Sequence, residues 1–165
     1  MTDTRIGMGY DVHRLTCGRE LFIGCINIPY TRGLLGHSDA DVLAHAIIDA
    51  LFGACAMGDI GTHFPDTAEE YRGISGRELL KRCSEELRAE GYEIVNIDST
   101  VVAQKPKLMP YIPQMQKAIA EALGIEPSRV SVKAKTEEGL GFTGNETGIS
   151  AYAVAMVERI KQERQ

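Results

Sequence analysis

Between Arg5 and His13 (RIGMGYDVH) apolar and polar residues mix in the manner of a strand, and Leu21 to Ile28 holds a short apolar pair broken by Gly24, which predicts a hairpin. Ser38 and Asp41 have the S-x-x-D spacing of a capping box, and the apolar periodic segment that follows predicts a helix to about Ala56. Ser75 and Glu78 repeat the signal. Leu79, Leu80, Cys83 and Leu87 then share one helical face while Arg82, Glu86 and Glu90 lie outward, up to Gly91. A third helix is predicted from near Pro113, with Met115, Ile119, Ala122 and Leu123 inward and a stop at Gly124. Ile94 to Ala103 and Arg129 to Thr136 are rich in Val, Ile and Thr and predict strands. In the tail, Gly148 to Val157, small Ala151, Ala153 and Ala155 alternate with large Tyr152, Val154 and Met156. That period of two favours a strand over a buried helix, and a strand apolar on both faces needs a layer on each side. With only three long helices, a neighbouring subunit is expected to supply one of those layers.

These elements predict an α+β fold: one α/β sandwich domain over residues 1–165, a mixed sheet packed against about three helices, plus a small hairpin. A chain of 165 residues is long enough to bury a full core without disulfides. Its composition, 44% hydrophobic and 25% charged, excludes disorder and collagen-like repeats. Net charge −5 argues against nucleic acid as a partner. The longest apolar stretch, Ala44 to Met57, is cut by Asp49 and too short for a bilayer, and no charged-then-apolar leader precedes Gly7. Cys17, Cys25, Cys55 and Cys83 form no C-x-x-C pair. The expectation is a soluble, cytoplasmic protein with reduced thiols and no membrane partner.

Candidate chemistry gathers early in the chain. On a strand, Asp11 and His13 project from one face, so a carboxylate and an imidazole converge on one ion, and His45 comes from the first helix. Two imidazoles and a carboxylate make a three-donor zinc site with an open fourth position. D-x-H alone is a weak signal, compatible with a strand-end Asp and a solvated His. His37 precedes the expected helix N-cap, where free N–H groups favour a phosphate. Asp49, one turn beyond His45, either orients its imidazole or is a plain surface acid. Asp59 and Asp66 flank a Gly- and Pro-containing loop in which His63 reads as incidental. Lysines at 105, 107, 133 and 135 sit at strand ends, where they either solvate or serve an anionic ligand. Gly139, Gly141 and Gly144 match G-x-G-x-x-G, but only 21 residues follow, too few for half a dinucleotide-binding fold, so a tight loop is expected.

Taken together, GYDVHRL, GLLGHSDADVLAHAIIDAL, GDIGTHFPD, AQKPKL and KTEEGLGFTG closely resemble the 2-C-methyl-D-erythritol 2,4-cyclodiphosphate synthase family of the non-mevalonate isoprenoid pathway, across nearly the whole chain. The resemblance implies conversion of 4-diphosphocytidyl-2-C-methyl-D-erythritol 2-phosphate to the cyclic diphosphate with release of CMP, using Zn2+ plus Mg2+ or Mn2+. By matching positions it implies Asp11, His13 and His45 as zinc ligands, with Val12 among the substrate contacts, and His37 and Ser38 as the pair that meets the methylerythritol phosphate. It further implies Asp59, Ile60 and Gly61 and then Phe64, Pro65, Asp66, Thr67 and Ala68 as substrate loops. Ala103, Gln104, Lys105, Pro106, Lys107, Leu108 and Met109 correspond to a cytidine pocket contributed by an adjacent subunit of a homotrimer. Lys135, Thr136 and Glu137 fall in the next substrate-contacting run; Thr136 resembles a phosphate-contacting threonine, Glu138 the ligand of the second metal, and Phe142 a substrate-side aromatic.

Two departures stand out. A threonine-rich run of the family is replaced by Lys135-Thr136-Glu137-Glu138, so the metal ligand is placed by counting back from Leu140-Gly141-Phe142, with Glu137 as the alternative. The family's G-R-G-E-G reads Gly144-Asn145-Glu146-Thr147-Gly148 here, which puts Asn145 where an anion-contacting arginine is expected. A zinc phosphohydrolase and a non-enzymatic metal- or nucleotide-binding protein are the alternatives to a cyclase.

Overall fold

Strand β1 (Thr4–Cys17) shows why the opening segment folds as it does: from residue 6 to residue 14 its even positions are exposed, while its odd positions turn inward. It runs four residues past the predicted end at His13. It pairs antiparallel with β7 (Gly148–Arg159), and β7 pairs antiparallel with β5 (Tyr92–Val102). Strand β6 (Val130–Lys135) lies parallel to β5, and the short β4 (Arg32–Leu34), which no hydrophobic pattern announces, adds to β1. The order is therefore β4-β1-β7-β5-β6, a mixed sheet of five strands, and the fold class is as predicted. The structure, a computed structural model, describes residues 3–160.

Strands β2 (Leu21–Ile23) and β3 (Ile26–Ile28) form the expected hairpin. Its two-residue turn places Gly24 at φ +64° and Cys25 at φ +66°, the left-handed pair that matches the twist of the flanking strands.

Helix α1 (Val42–Ala54) lies on β1 and β7 and is buried on nearly every side, which is why its sequence is apolar throughout rather than in a stripe. The approach to the sheet is possible only because β1 presents glycine inward. A Cβ on Gly7 would meet the Ala50 carbonyl oxygen at 2.1 Å, and one on Gly9 the Ala46 oxygen at 1.9 Å. The alanines at 151, 153 and 155 give β7 the same flatness beneath the helix; all three are buried. Fully buried Ile47, Ile48, Leu51 and Phe52 then fill the layer above, each contributing on the order of 2 kcal/mol. Helix α3 (Gly76–Ala89) packs on α1, and α4 (Ile112–Leu123) on α3 and β6. Ser75 caps α3 as predicted, accepting from the Glu78 N–H, and Gly124 ends α4 in a left-handed conformation. Single turns form α2 (Ile60–His63), inside the segment expected to be a loop, and α5 (Gly141–Gly144), where the three glycines make the expected tight turn.

One expectation about α1 is corrected. Its N-cap is Asp41, not Ser38: the Asp41 carboxylate accepts from the Ala44 N–H, and also from Gly24 and Cys25 N–H in the hairpin turn. Asp41 is fully buried and takes the capping position at that terminus. No helix among the described residues is long and apolar enough to cross a membrane.

Candidate functional site

Asp11 and His13 leave the inner face of β1 two residues apart, beyond Gly7 and Gly9, and His45 leaves the first turn of α1. The glycine contacts press α1 onto β1, so the three side chains meet. His13 Nε2 lies 2.9 Å from Asp11 Oδ2, His45 Nδ1 lies 3.0 Å from the same oxygen, and the two nitrogens are 3.2 Å apart.

The other ring nitrogens fix what these atoms carry. His13 Nδ1 donates to the Leu35 carbonyl at 2.8 Å, leaving a lone pair on Nε2 of the neutral ring. His45 Nε2 lies 3.2 Å from Ser38 Oγ, a hydroxyl that accepts from the Ala40 N–H and can accept from the ring as well; with Nε2 as that donor, Nδ1 keeps a lone pair. Three electron pairs thus point into one space, and this is unfavourable unless a cation or a proton sits among them. Zinc bonds of about 2.0–2.2 Å at tetrahedral angles separate neighbouring donors by about 3.3–3.5 Å, close to this triangle. The donor set fits zinc. Without metal, burial opposes charge on both partners, yet the bonds and charges of His13 and His45 hold the Asp11 carboxyl well below the usual carboxylate range. Burial likewise lowers His13, but Asp11 outweighs it and raises the imidazole above its ordinary value. A proton then stands in for the cation.

The triad opens into a cavity of about 370 Å³ that Gly36, His37, Ser38, Ile60, Gly61, Phe64 and Asp66 also line. Of the residues expected to contact substrate, His37, Ser38, Ile60, Gly61, Phe64 and Asp66 therefore lie with Asp11, His13 and His45. Tyr71, Ile74 and Leu79 complete the wall and had no signal in the sequence beyond being apolar. Asp59 instead caps α2 through the Thr62 N–H, while Pro65, Thr67 and Ala68 stand outside the lining, although the Ala68 carbonyl accepts from His37 Nε2 at 3.3 Å. Val12 lies apart from the triad. Its side chain is on the opposite, exposed face of β1, because strand neighbours alternate. Asp49 does not touch His45; its carboxylate accepts from the Ile60 N–H at 2.8 Å, and burial pushes its own ionisation up.

The remaining expected residues collect elsewhere. Ala103, Gln104, Pro106, Lys107, Leu108, Met109, Ala134, Lys135 and Thr136 line a second cavity of about 380 Å³ that shares no residue with the first. Lys105 turns to Glu146, 3.4 Å away, and Gln104 accepts from the Gly139 N–H. Glu137 takes a hydrogen bond from Thr143, and Glu138, at φ +52°, is exposed and apart from the triad, as is the half-exposed Phe142. Asn145 caps α5 and accepts from the Thr147 N–H. A single chain thus displays two separate cavities.

Comparison with known proteins identifies the family. A profile of the YgbB family matches residues 4–158. The 2-C-methyl-D-erythritol 2,4-cyclodiphosphate synthase of Pelotomaculum thermopropionicum is 60% identical over 158 residues, 96% of this chain and 98% of that protein. Among solved structures, the bifunctional IspDF from Campylobacter jejuni superposes with TM-score 0.93 at 38% identity, covering 98% of this chain and 44% of that one. IspF from Plasmodium falciparum, in complex with CDP, superposes with TM-score 0.84 at 32% identity, covering 98% and 99%. From its first strand to its last, through the Asp11, His13 and His45 cluster, this chain belongs to the YgbB family.

Proposed function

We infer that this chain is an enzyme of isoprenoid biosynthesis and catalyses the reaction its relatives are named for, formation of 2-C-methyl-D-erythritol 2,4-cyclodiphosphate. The observation that carries the reading is the convergence of Asp11, His13 and His45 on one point at the floor of a substrate-sized cavity. The substrate is 4-diphosphocytidyl-2-C-methyl-D-erythritol 2-phosphate. Its own 2-phosphate attacks the β-phosphorus, and CMP leaves.

Asp11, His13 and His45 would hold zinc and Glu138 magnesium or manganese, and ions bound there would supply Lewis-acid neutralisation of the diphosphate. The chain's own residues bind, orient and exclude water. His37 and Ser38, which line the cavity with His45, receive the methylerythritol phosphate, Ser38 through its hydroxyl group. Thr136 bonds a phosphate oxygen as charge grows on it. The cavity between the segments around Ala103–Met109 and Ala134–Thr136 takes the cytidine, a reading supported by the relative solved with CDP. The segment from Asp59 to Ala68 excludes water, the competing nucleophile.

As the family resemblance implies, the cytidine half of each site comes from a neighbouring copy in a homotrimer, a reading supported by the separation of the two cavities within one chain. The bare sheet face supports this. Ile6, Met8, Tyr10, Val12, Tyr152 and Val154 project from it, each at least 40% exposed, an apolar stripe of the kind that copies of a chain cover for one another. The second layer that the tail strand needs is therefore another subunit. The enzyme works in the cytoplasm, where its four cysteines stay free thiols; burial pushes Cys55 up to about 11 and Cys25 and Cys83 further. Neither nucleic acid nor membrane is a partner.

Phosphorus NMR of the reaction, with and without a chelator, tests the reading. Cyclic diphosphate that disappears on chelation is expected. CMP with only a linear bisphosphate means a zinc phosphohydrolase, and binding without turnover means a sensor; either outcome overturns the cyclase.

A further inference from the structure

The segment that walls the first cavity is itself held by a histidine. His63 closes α2, and both of its ring nitrogens face acceptors: Nδ1 is 2.6 Å from Glu86 Oε2, and Nε2 is 2.8 Å from the Met57 carbonyl. The ring is therefore held at both nitrogens, by a carboxyl group on one side and a backbone carbonyl on the other. The ring also stacks on Phe52, with centroids 3.8 Å apart and planes 11° from parallel, and its side chain is only 17% exposed. Phe52 lies on α1, about two turns beyond His45, and Glu86 lies on α3. One side chain therefore ties α2 to both helices. Asp49, also on α1, holds the other end of the same turn through the Ile60 N–H. Ile60, Gly61 and Phe64 line the cavity, whereas His63 does not.

We propose that His63, with Glu86 as its partner, is a positioning residue for ring closure: it fixes the Asp59–Phe64 wall to the helix that presents His45, so that the substrate's own phosphate reaches phosphorus before water does. The proposal deepens the cyclase reading and rests on it. The event it suppresses is hydrolysis. There a water oxygen forms the new bond to the β-phosphorus, the bond from that phosphorus to CMP breaks, the water proton passes to solvent, and a linear 2,4-bisphosphate results. Displacement of a wall by a fraction of an ångström is enough to alter the competition between two nucleophiles at one centre.

The test gives 4-diphosphocytidyl-2-C-methyl-D-erythritol 2-phosphate to zinc- and magnesium-loaded wild type, His63→Phe, Glu86→Gln and Glu86→Ala. Products are counted by phosphorus NMR, with bound zinc and thermal melting recorded alongside. His63→Phe keeps the stacking and loses both hydrogen bonds; the cyclic-to-linear ratio is expected to fall about 10-fold with zinc content unchanged. Glu86→Ala falls likewise, and Glu86→Gln, whose amide still bonds Nδ1, stays near wild type. A ratio equal to wild type in both His63→Phe and Glu86→Ala overturns the proposal, as does an equal fall in Glu86→Gln and Glu86→Ala. Should His63→Phe fail to fold, the Glu86 pair decides. Absence of cyclic product from wild type sinks the cyclase reading, and this proposal with it, and is distinguishable from either result.

Discussion

Glycine at position 9 does as much for the site as any donor, because the distance from sheet to helix is set there. In Gly9→Ala the new methyl would stand 1.9 Å from a backbone oxygen of α1, and backbone cannot rotate away as a side chain can. Overpacking of this kind costs about 3 kcal/mol. A matching drop in urea unfolding stability is expected, together with weaker zinc binding as His45 moves off the triad. His45→Ala tests the donor itself: zinc content by elemental analysis should fall to background while the fold persists. Acid should act at the same place. Because Asp11 holds His13 above the ordinary histidine value of about 6.5, protons already compete with metal above that pH. Affinity should therefore drop as pH falls through neutrality, measured by competition with a zinc chelator. Affinity that is flat down to about pH 6 would contradict the lone-pair geometry. The D-x-H spacing was legible in the sequence because strand residues two apart share a face, whereas the Leu35 carbonyl that fixes the tautomer carries no sequence mark at all.

At the scale of elements, Asp41 joins two pieces that are 16 residues apart in the chain. Its carboxylate caps α1 and accepts two N–H groups from the hairpin turn, all without exposure to water. An amide at that position cannot accept on both oxygens, so Asp41→Asn leaves a buried N–H against a donor. The expected loss is about 2–3 kcal/mol in chemical denaturation, with the hairpin as the first part to lose amide-exchange protection. Ser38 and Asp41 together read as a capping box, and only the second residue is the cap. The pattern S-x-x-D identifies a helix start but not which of its polar residues faces the free N–H groups; Ser38 is drawn to His45 instead. The three long helices were readable, α3 and α4 because each buries a periodic face and α1 because a long apolar run follows a capping signal. Strand β4 and the single turn α2 were not, since three or four residues are too few for a period to show.

For the molecule as a whole, the sheet carries a helical layer on one face and a bare apolar stripe on the other. Charge introduced into that stripe should separate subunits without unfolding any of them. Val12→Lys is expected to shift the sedimenting species from trimer to monomer and to abolish turnover, while zinc content and the far-ultraviolet spectrum persist. A wild-type chain that sediments as a monomer would refute assembly through this face. The alternation in the tail strand foretold two covered faces, and the single chain covers one of them, on the alanine side.

By itself the amino-acid sequence determined the longer elements and pointed to a candidate set of donors. Periodicity, small residues and capping chemistry are local, and Asp11, His13 and His45 stood out as a carboxylate and two imidazoles on elements able to present them inward. What only the tertiary structure decided is which groups meet. It put Ile60, Phe64 and Tyr71 around the triad, sent Ala103–Met109 and Thr136 to a separate cavity, and turned His63 from an incidental loop residue into a link between two helices. Such meetings depend on how closely layers approach and on partners distant in the chain. These are properties of packing, and no window of neighbouring residues contains them.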